Sequence, residues 1–506
     1  MEMPSKRKLA LIVFVGFLLA LLEPIILLLL GNDLGGAFWP MAKRSLEWTY
    51  FLRENRTLIF AFFILAVPLS YYRSKNSSTY EKIISLGLVG VILGLLSIFT
   101  LLNYAYFRDA FLLLPTTYGF IFLCLALILS GLPQNPFREG VNKISAGSHF
   151  LLVILAVWLI TPGLSAMAGL SPSPPKLEMA PGVYDVEIES YEYPMPDEVS
   201  SIQGDYEEDV VFSVYIALPE GHQGDLPIAI ILHGFANPFF ESYVDWVEEI
   251  ASRGMAVAYI QYPSDVMPPG HDTFELHEEE GMSNHPYHEP RAVAIDAALE
   301  FMVTLLPEEV DTNYLMVGGH SLGAGYSFLA LEWALSKGWG SEALFVSLEA
   351  PYARPVQDHL QFDNSNLPDN FLAHVAISED DMSVSDCFGV HHQALLGENA
   401  LFIEVPSDRH GFPRLVATHY LQATETHDDL ADWGFYRRIA NQANWLVSSL
   451  NNDTDNELIY RNNLIDSEEL RYMGEWSDGR EVEPLRTWED ALNSNRFDYC
   501  KDWTGP

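Results

Sequence analysis

The sequence predicts an α/β domain, a mostly parallel sheet covered by helices, carried behind an all-helical membrane region. Three observations predict it. Beyond residue 185, short apolar runs alternate with longer stretches of helical spacing, the pattern of a buried parallel sheet and its crossovers. The first 170 residues hold five long apolar runs instead. Charge divides at the same place: 14 Lys+Arg meet 8 Asp+Glu up to Lys176, whereas 14 Lys+Arg meet 60 Asp+Glu from Leu177 onward, giving a net charge of −40.

The apolar runs cover 9–30, 58–72, 83–102, 110–132 and 150–170. A helix needs about 20 apolar residues to cross the hydrocarbon core, so four qualify and the second is short. Five spans are expected, forming a region over 1–170. "MEMPSKRKLALIVFVGF" has the basic start of a signal peptide, but its apolar run is long and no small-residue cleavage site follows, so it reads as a signal anchor. Glu23-Pro24 inside the first run reads as a kink facing neighbouring helices, with a functional carboxylate as the other reading. "GVILG", Gly90 to Gly94, is a small-residue pattern suited to a helix contact. With the N-terminus inside, eight basic residues lie on cytoplasmic segments against five outside, and an odd span count delivers the rest of the chain to the exterior.

"SPSPPKLEMAPG" starts the linker, 171–184, because its prolines forbid helix and favour an extended spacer. The acidic part beyond it has two lysines, Lys337 and Lys501. Such a surface repels phosphate backbones, which excludes nucleic acid as a partner, and suits high salt, where screening shortens the repulsion.

Six runs read as strands: "PIAIILHG" (227–234), "GMAVAYIQYP" (254–263), "NYLMVGG" (313–319), "SEALFVSLEAP" (341–351), "NFLAHVAISEDD" (370–381) and "ALFIEVPSDRH" (400–410). Continuous apolar runs of this length are what a sheet buried on both faces requires.

Gly319-His320-Ser321-Leu322-Gly323 is a G-x-S-x-G that follows one of these strands and opens the apolar helical pattern "LGAGYSFLALEWALSKG". That is the strand, sharp turn and helix of a nucleophile elbow, in which side chains two residues to either side of the serine would collide with strand and helix. A serine nucleophile needs a base, and the base an orienting acid. Glu379, Asp380 and Asp381 end one later strand; Asp408 and His410 follow the next.

With these residues the sequence resembles the α/β-hydrolase superfamily, in particular its esterase- and lipase-like branch that includes cutinase-type enzymes. The elbow, "ILHGF", the acid and the histidine carry the resemblance. "ATHYLQATETHDDLADWGFYRR" and "RYMGEWSDGREVEPL" also look like closing segments of bacterial lipase-like members, so it covers about Asp185 to Thr487. It implies an α/β-hydrolase domain over 185–490 followed by a tail, 491–506. It further implies Ser321 as nucleophile, His410 as base and then acid, and Asp381 as orienter, with the backbone N–H groups of Phe235 and Leu322 as oxyanion hole. Asp381 is preferred because Val384 follows three residues later, matching the family's acid-x-x-Val habit; Asp380 is the competitor and Glu379 a weaker one.

His320 and His233 read as structural. Phe239, Tyr262 and Phe412, with Phe235, Pro238 and Phe240 around them, suggest an apolar acyl pocket, their other reading being core. His271, His277, His285 and His288 stand among acidic residues in 270–290, yet no spacing matches an established metal site, so this reads as a loop beside the site. No metal and no cofactor is expected. Cys124 falls in the fourth apolar run; Cys387 and Cys500 would be able to bridge if their domain is exterior. The functional expectation is a multi-pass membrane-anchored serine hydrolase of carboxylic esters, lipid or other apolar acyl esters favoured. Acyl transfer through the same acyl-enzyme, or a non-catalytic ligand-binding domain, are the alternatives.

Overall fold

A computed structural model of the chain describes residues 6–30, several between 34 and 45, 78–107, 172–200, 212–235, 237–264, 288–352, 362–381, 383–411 and 414–503. Two compact units result, one formed by 1–173 with 411–413 and the other by 174–410 with 414–506.

In the first unit, α1 (Lys6–Leu19) packs along α3 (Thr79–Phe107), while α2 (Leu22–Leu29) leaves α1 at 51°. The expected single first span is therefore broken beside Pro24, which is buried, and Glu23 pairs with Arg44. The small-residue contact at "GVILG" is present: a Cβ on Gly90 would lie 2.2 Å from the Val13 carbonyl, and one on Gly94 2.8 Å from the Phe17 carbonyl. Only glycine lets the two backbones approach so closely. Among the described residues one helix, Thr79–Leu102, is long and apolar enough to cross a membrane, or two if the bent pair counts as one span. The runs 58–72, 110–132 and 150–170, with Cys124, lie outside the described residues.

The second unit has an α/β fold built on a nine-stranded mixed sheet in the order β1-β2-β4-β3-β5-β6-β7-β8-β9. The strands are β1 (Val186–Glu192), β2 (Ser213–Pro219), β3 (Leu226–Leu232), β4 (Ala256–Ile260), β5 (Val310–His320), β6 (Ala343–Glu349), β7 (Phe371–Ser378), β8 (Ala400–Val405) and β9 (Arg486–Trp488). From β4 through β8 all neighbours are parallel; β1, β2 and β9 add antiparallel pairings at the two edges. The six apolar runs are thus the parallel centre, and β3, β6, β7 and β8 are buried at every position.

Their period of two sends alternate residues to opposite faces. Ile228, Ile230 and Leu232 of β3 join one core with α5 (His288–Val303), α6 (Leu322–Ser336) and α7 (Asp386–Leu396). Ala229 and Ile231 join the other with α4 (Val244–Ala251) and α8 (Arg437–Leu450), whose Trp246 and Trp445 are fully buried. The linker runs without regular structure along this unit: Trp433 donates to the Pro175 carbonyl at 3.3 Å, and Lys176 pairs with Asp429 at 2.7 Å. A disulfide joins Cys387, in the first turn of α7, to Cys500.

Arg438 of α8 reaches under the sheet's carboxyl edge to Glu349, the last residue of β6, in a two-pronged pair at 2.9 and 2.7 Å. Both side chains are buried, so removing one leaves the other's charge without compensation. Arg438→Met is expected to lower unfolding stability by about 3–5 kcal/mol, and the double variant Arg438→Met/Glu349→Leu to recover most of it. Denaturant titration of both variants checks this; equal losses in the single and double variants would contradict it.

Candidate active site

Three strand ends meet at the carboxyl edge of the sheet, where crevices form in open α/β sheets. Ser321 follows β5 directly and caps α6, with φ 56° and ψ −118°. A positive φ in a non-glycine residue is strained, and the surroundings must enforce it. Two backbone bonds do so: Ser321 N–H donates to the Glu349 carbonyl and Tyr352 N–H to the Ser321 carbonyl, both at 2.9 Å. The flanking glycines make room for the turn. A Cβ on Gly319 would lie 2.4 Å from the Gly323 carbonyl, and one on Gly323 2.3 Å from the His233 carbonyl.

Ser321 Oγ lies 2.9 Å from Nε2 of His419, whose Nδ1 lies 2.7 Å from Asp381 Oδ2. Beside a carboxylate, Nδ1 carries the proton and donates it, so Nε2 accepts from the serine hydroxyl. All three groups are almost entirely shielded from solvent. Asp381 also accepts the N–H groups of Ser383 at 2.8 Å and Val384 at 3.2 Å, which fixes the carboxylate before it meets the imidazole.

The histidine here is His419, and the expectation for His410 is corrected. His410 Nε2–H donates to Asp478 at 2.8 Å, and Arg480 donates to its Nδ1 at 3.0 Å, so both ring nitrogens are engaged with the 478–480 turn. Asp408 holds this loop in place by accepting from Trp476 Nε1 at 2.9 Å and from the His410 N–H at 2.9 Å. The chain then doubles back: Ala417 N–H donates to Ser407 Oγ at 2.8 Å and the Ala417 carbonyl accepts Asp380 N–H at 2.9 Å, which lays 417–419 beside the end of β7. His419 stands in "ATHYLQ", and the apolar run Leu415 to Ala417 before it was the signal the sequence offered.

The acidic alternatives are occupied elsewhere. Asp380 binds Ser407 Oγ and Arg409, and Glu379 accepts from Ser407 N–H at 2.8 Å and from Arg486 at 3.0 Å.

The loop after β3 abuts the serine. A Cβ on Gly234, the residue before Phe235, would lie 3.3 Å from Ser321 Cβ. Gly234 N–H itself is committed to Tyr243 Oη at 3.0 Å. Leu322 is the first residue of α6, where N–H groups have no intrahelical carbonyl and the helix dipole favours negative charge. His233 locks the loop from behind: its Nδ1–H donates to the Gly234 carbonyl at 2.8 Å, and its Nε2 accepts from Tyr262 N–H at 3.0 Å. Burial pushes its pKa down to about 3, so the ring stays neutral.

Tyr262 is corrected from pocket wall to support. It is fully buried, stacks on His233 at 4.1 Å and donates its hydroxyl to the His233 carbonyl at 2.7 Å. Phe240 is core, stacked on Tyr215, whereas Phe239 is 54% exposed. Phe412 and the loop with His271, His277 and His285 lie outside the described residues. Among the described residues no group of three or more His, Cys, Asp or Glu is placed to hold a metal ion.

Chemically, this arrangement can remove a proton from Ser321 Oγ as the oxygen attacks a carbonyl carbon, and it can stabilise the resulting imidazolium through Asp381.

No protein-family model and no curated protein sequence matches the chain. Among solved structures it is similar to a mutant of the esterase rPPE, at 13% identity and a TM-score of 0.33, covering 54% of this chain and 86% of that one. A thermostable esterase from Pseudomonas putida matches at 14% identity with the same coverage and TM-score.

Proposed function

We propose that the chain is a serine hydrolase of carboxylic esters, of the α/β-hydrolase type, held at a membrane by its N-terminal helices. The observation that carries this reading is the chain Ser321 Oγ, His419, Asp381 at 2.9 and 2.7 Å, set at the strained turn between β5 and α6. His419 takes the Ser321 proton as Oγ adds to the ester carbonyl; the tetrahedral oxyanion forms beside the N–H groups of Phe235 and Leu322. His419 then passes the proton to the departing alcohol, leaving an acyl-Ser321. Water, deprotonated by the same imidazole, attacks this ester; Oγ regains the proton and the acid leaves. The strand order with its antiparallel edge pair and parallel centre supports the fold assignment.

Exposed Phe239, four residues past Phe235, supports an apolar acyl group. The Cys387–Cys500 disulfide supports an extracytoplasmic location for this domain, because disulfides persist in oxidising compartments. The test is hydrolysis of aryl esters of graded acyl length by the full chain in detergent. Ser321→Ala is expected to lower the rate by about 10⁴-fold or more with folding unchanged. A folded parent protein without activity on any of these esters would favour a ligand-binding role instead.

A further inference from the structure

His320 precedes Ser321 and is buried, yet the reaction above does not use it. Its two ring nitrogens face partners on opposite sides. Nε2 lies 2.7 Å from the carbonyl oxygen of His419, and Nδ1 lies 2.9 Å from Tyr243 Oη. A carbonyl only accepts, so Nε2 carries the proton. The neutral ring then has a bare Nδ1, which accepts from the Tyr243 hydroxyl. Tyr243 Oη in turn accepts the Gly234 N–H at 3.0 Å. Protons therefore point one way along an unbroken line: Gly234 N–H to Tyr243, Tyr243 O–H to His320, His320 Nε2–H to the backbone of His419.

Burial is what makes this line directional. Desolvation first, and then the neighbouring His419, hold the His320 pKa well below its ordinary value, so the ring does not become a double donor. Tyr243 and His320 are shielded from water, which would otherwise satisfy either end. Both ends lie outside helix and strand. Gly234 belongs to the loop that presents Phe235, and His419 sits in a segment without regular secondary structure. The middle, His320, is the last residue of β5 and is fixed by pairing with Glu349 of β6.

We propose that His320 and Tyr243 are positioning residues that register the oxyanion loop and the His419 backbone to strand β5, and so to Ser321. The inference rests on the hydrolase reading given above. Without His320, His419 keeps its side-chain bonds to Ser321 and Asp381 but its carbonyl loses its donor and Tyr243 loses its acceptor; without Tyr243, the Gly234 N–H loses its acceptor while His233 still holds the loop. Displacement of reacting groups by about 1 Å costs on the order of 10²-fold in rate.

The test compares His320→Phe, His320→Gln and Tyr243→Phe with the parent, as full-length protein, by steady-state hydrolysis of an aryl ester. His320→Phe keeps a ring of similar size and removes both bonds; it is expected to lower kcat by about 10- to 100-fold with KM within about twofold. His320→Gln places an amide N–H where Nε2–H stood and is expected to recover much of that loss. Tyr243→Phe is expected to match His320→Phe, and the double variant to be little worse than either, because the groups act as one line.

Parent-like kcat in His320→Phe would overturn the relay, as would a loss confined to KM, additive losses in the double variant, or no recovery in His320→Gln. Should His320→Phe fail to fold, parent-like kcat in Tyr243→Phe overturns it alone. A folded parent without esterase activity overturns the hydrolase reading itself, a distinguishable result.

Discussion

His419→Ala is expected to lower ester hydrolysis by about 10⁴-fold or more, while His410→Ala stays within about threefold of the parent. The contrast follows from where each ring is held. Nε2 of His419 is 2.9 Å from Ser321 Oγ, so its loss removes the only group positioned to take the hydroxyl proton, among the described residues. His410 is committed to Asp478 and Arg480 in a partly exposed turn. Its loss loosens the contacts of that turn without touching the reacting atoms. Combining His419→Ala with Ser321→Ala should add little to either, since a base without its nucleophile has no proton to take. Steady-state kinetics on one aryl ester decides it; collapse in His410→Ala with activity retained in His419→Ala would reverse the assignment.

Asp381→Asn is the second large effect, about 10³- to 10⁴-fold, against a small effect for Asp380→Asn. The amide would present N–H or carbonyl oxygen to His419 Nδ1 and cannot both accept its proton and stabilise the imidazolium. Asp381 also accepts Ser383 and Val384 N–H groups, so the replacement keeps its side-chain oxygen there and turns its NH2 toward the ring, favouring the wrong tautomer. Asp380 contacts Ser407 and Arg409, so its amide affects loop stability first. Measured kcat for the two variants, with melting temperatures, separates the roles. Near-parent activity in Asp381→Asn would remove the carboxylate from the account.

The sheet was legible because a strand buried on both faces is predominantly apolar, and β3, β4, β6, β7, β8 and the buried second half of β5 are written that way. β1 escaped notice because it is an edge strand with four exposed residues, lacking such a run. The elbow was legible because steric exclusion at Gly319 and Gly323 leaves a local signature. Asp381 was preferred because Val384 follows three residues later, and its carboxylate accepts the nearby Ser383 and Val384 N–H groups. The base was not. His419 lies well past the end of β8, and its position depends on contacts distant in sequence, Ala417 to Asp380 and His320 to the His419 carbonyl. His410 was nearer the strand end and beside a glycine, but Trp476 and Asp478, far along the chain, draw its loop away. The Gly234–Tyr243–His320 line was invisible for the same reason: it joins a loop, a turn and a strand end, each residue unremarkable alone.

Ser321, if activated by His419, reacts covalently with an electrophile that mimics an ester. Treating the full-length parent, His419→Ala and Ser321→Ala with a fluorophosphonate, followed by peptide mass spectrometry, tests it most directly. A single adduct on Ser321 is expected in the parent, with a labelling rate reduced by orders of magnitude in His419→Ala and no adduct in Ser321→Ala. A folded parent that takes no label, or an adduct on another residue that persists in Ser321→Ala, would contradict it.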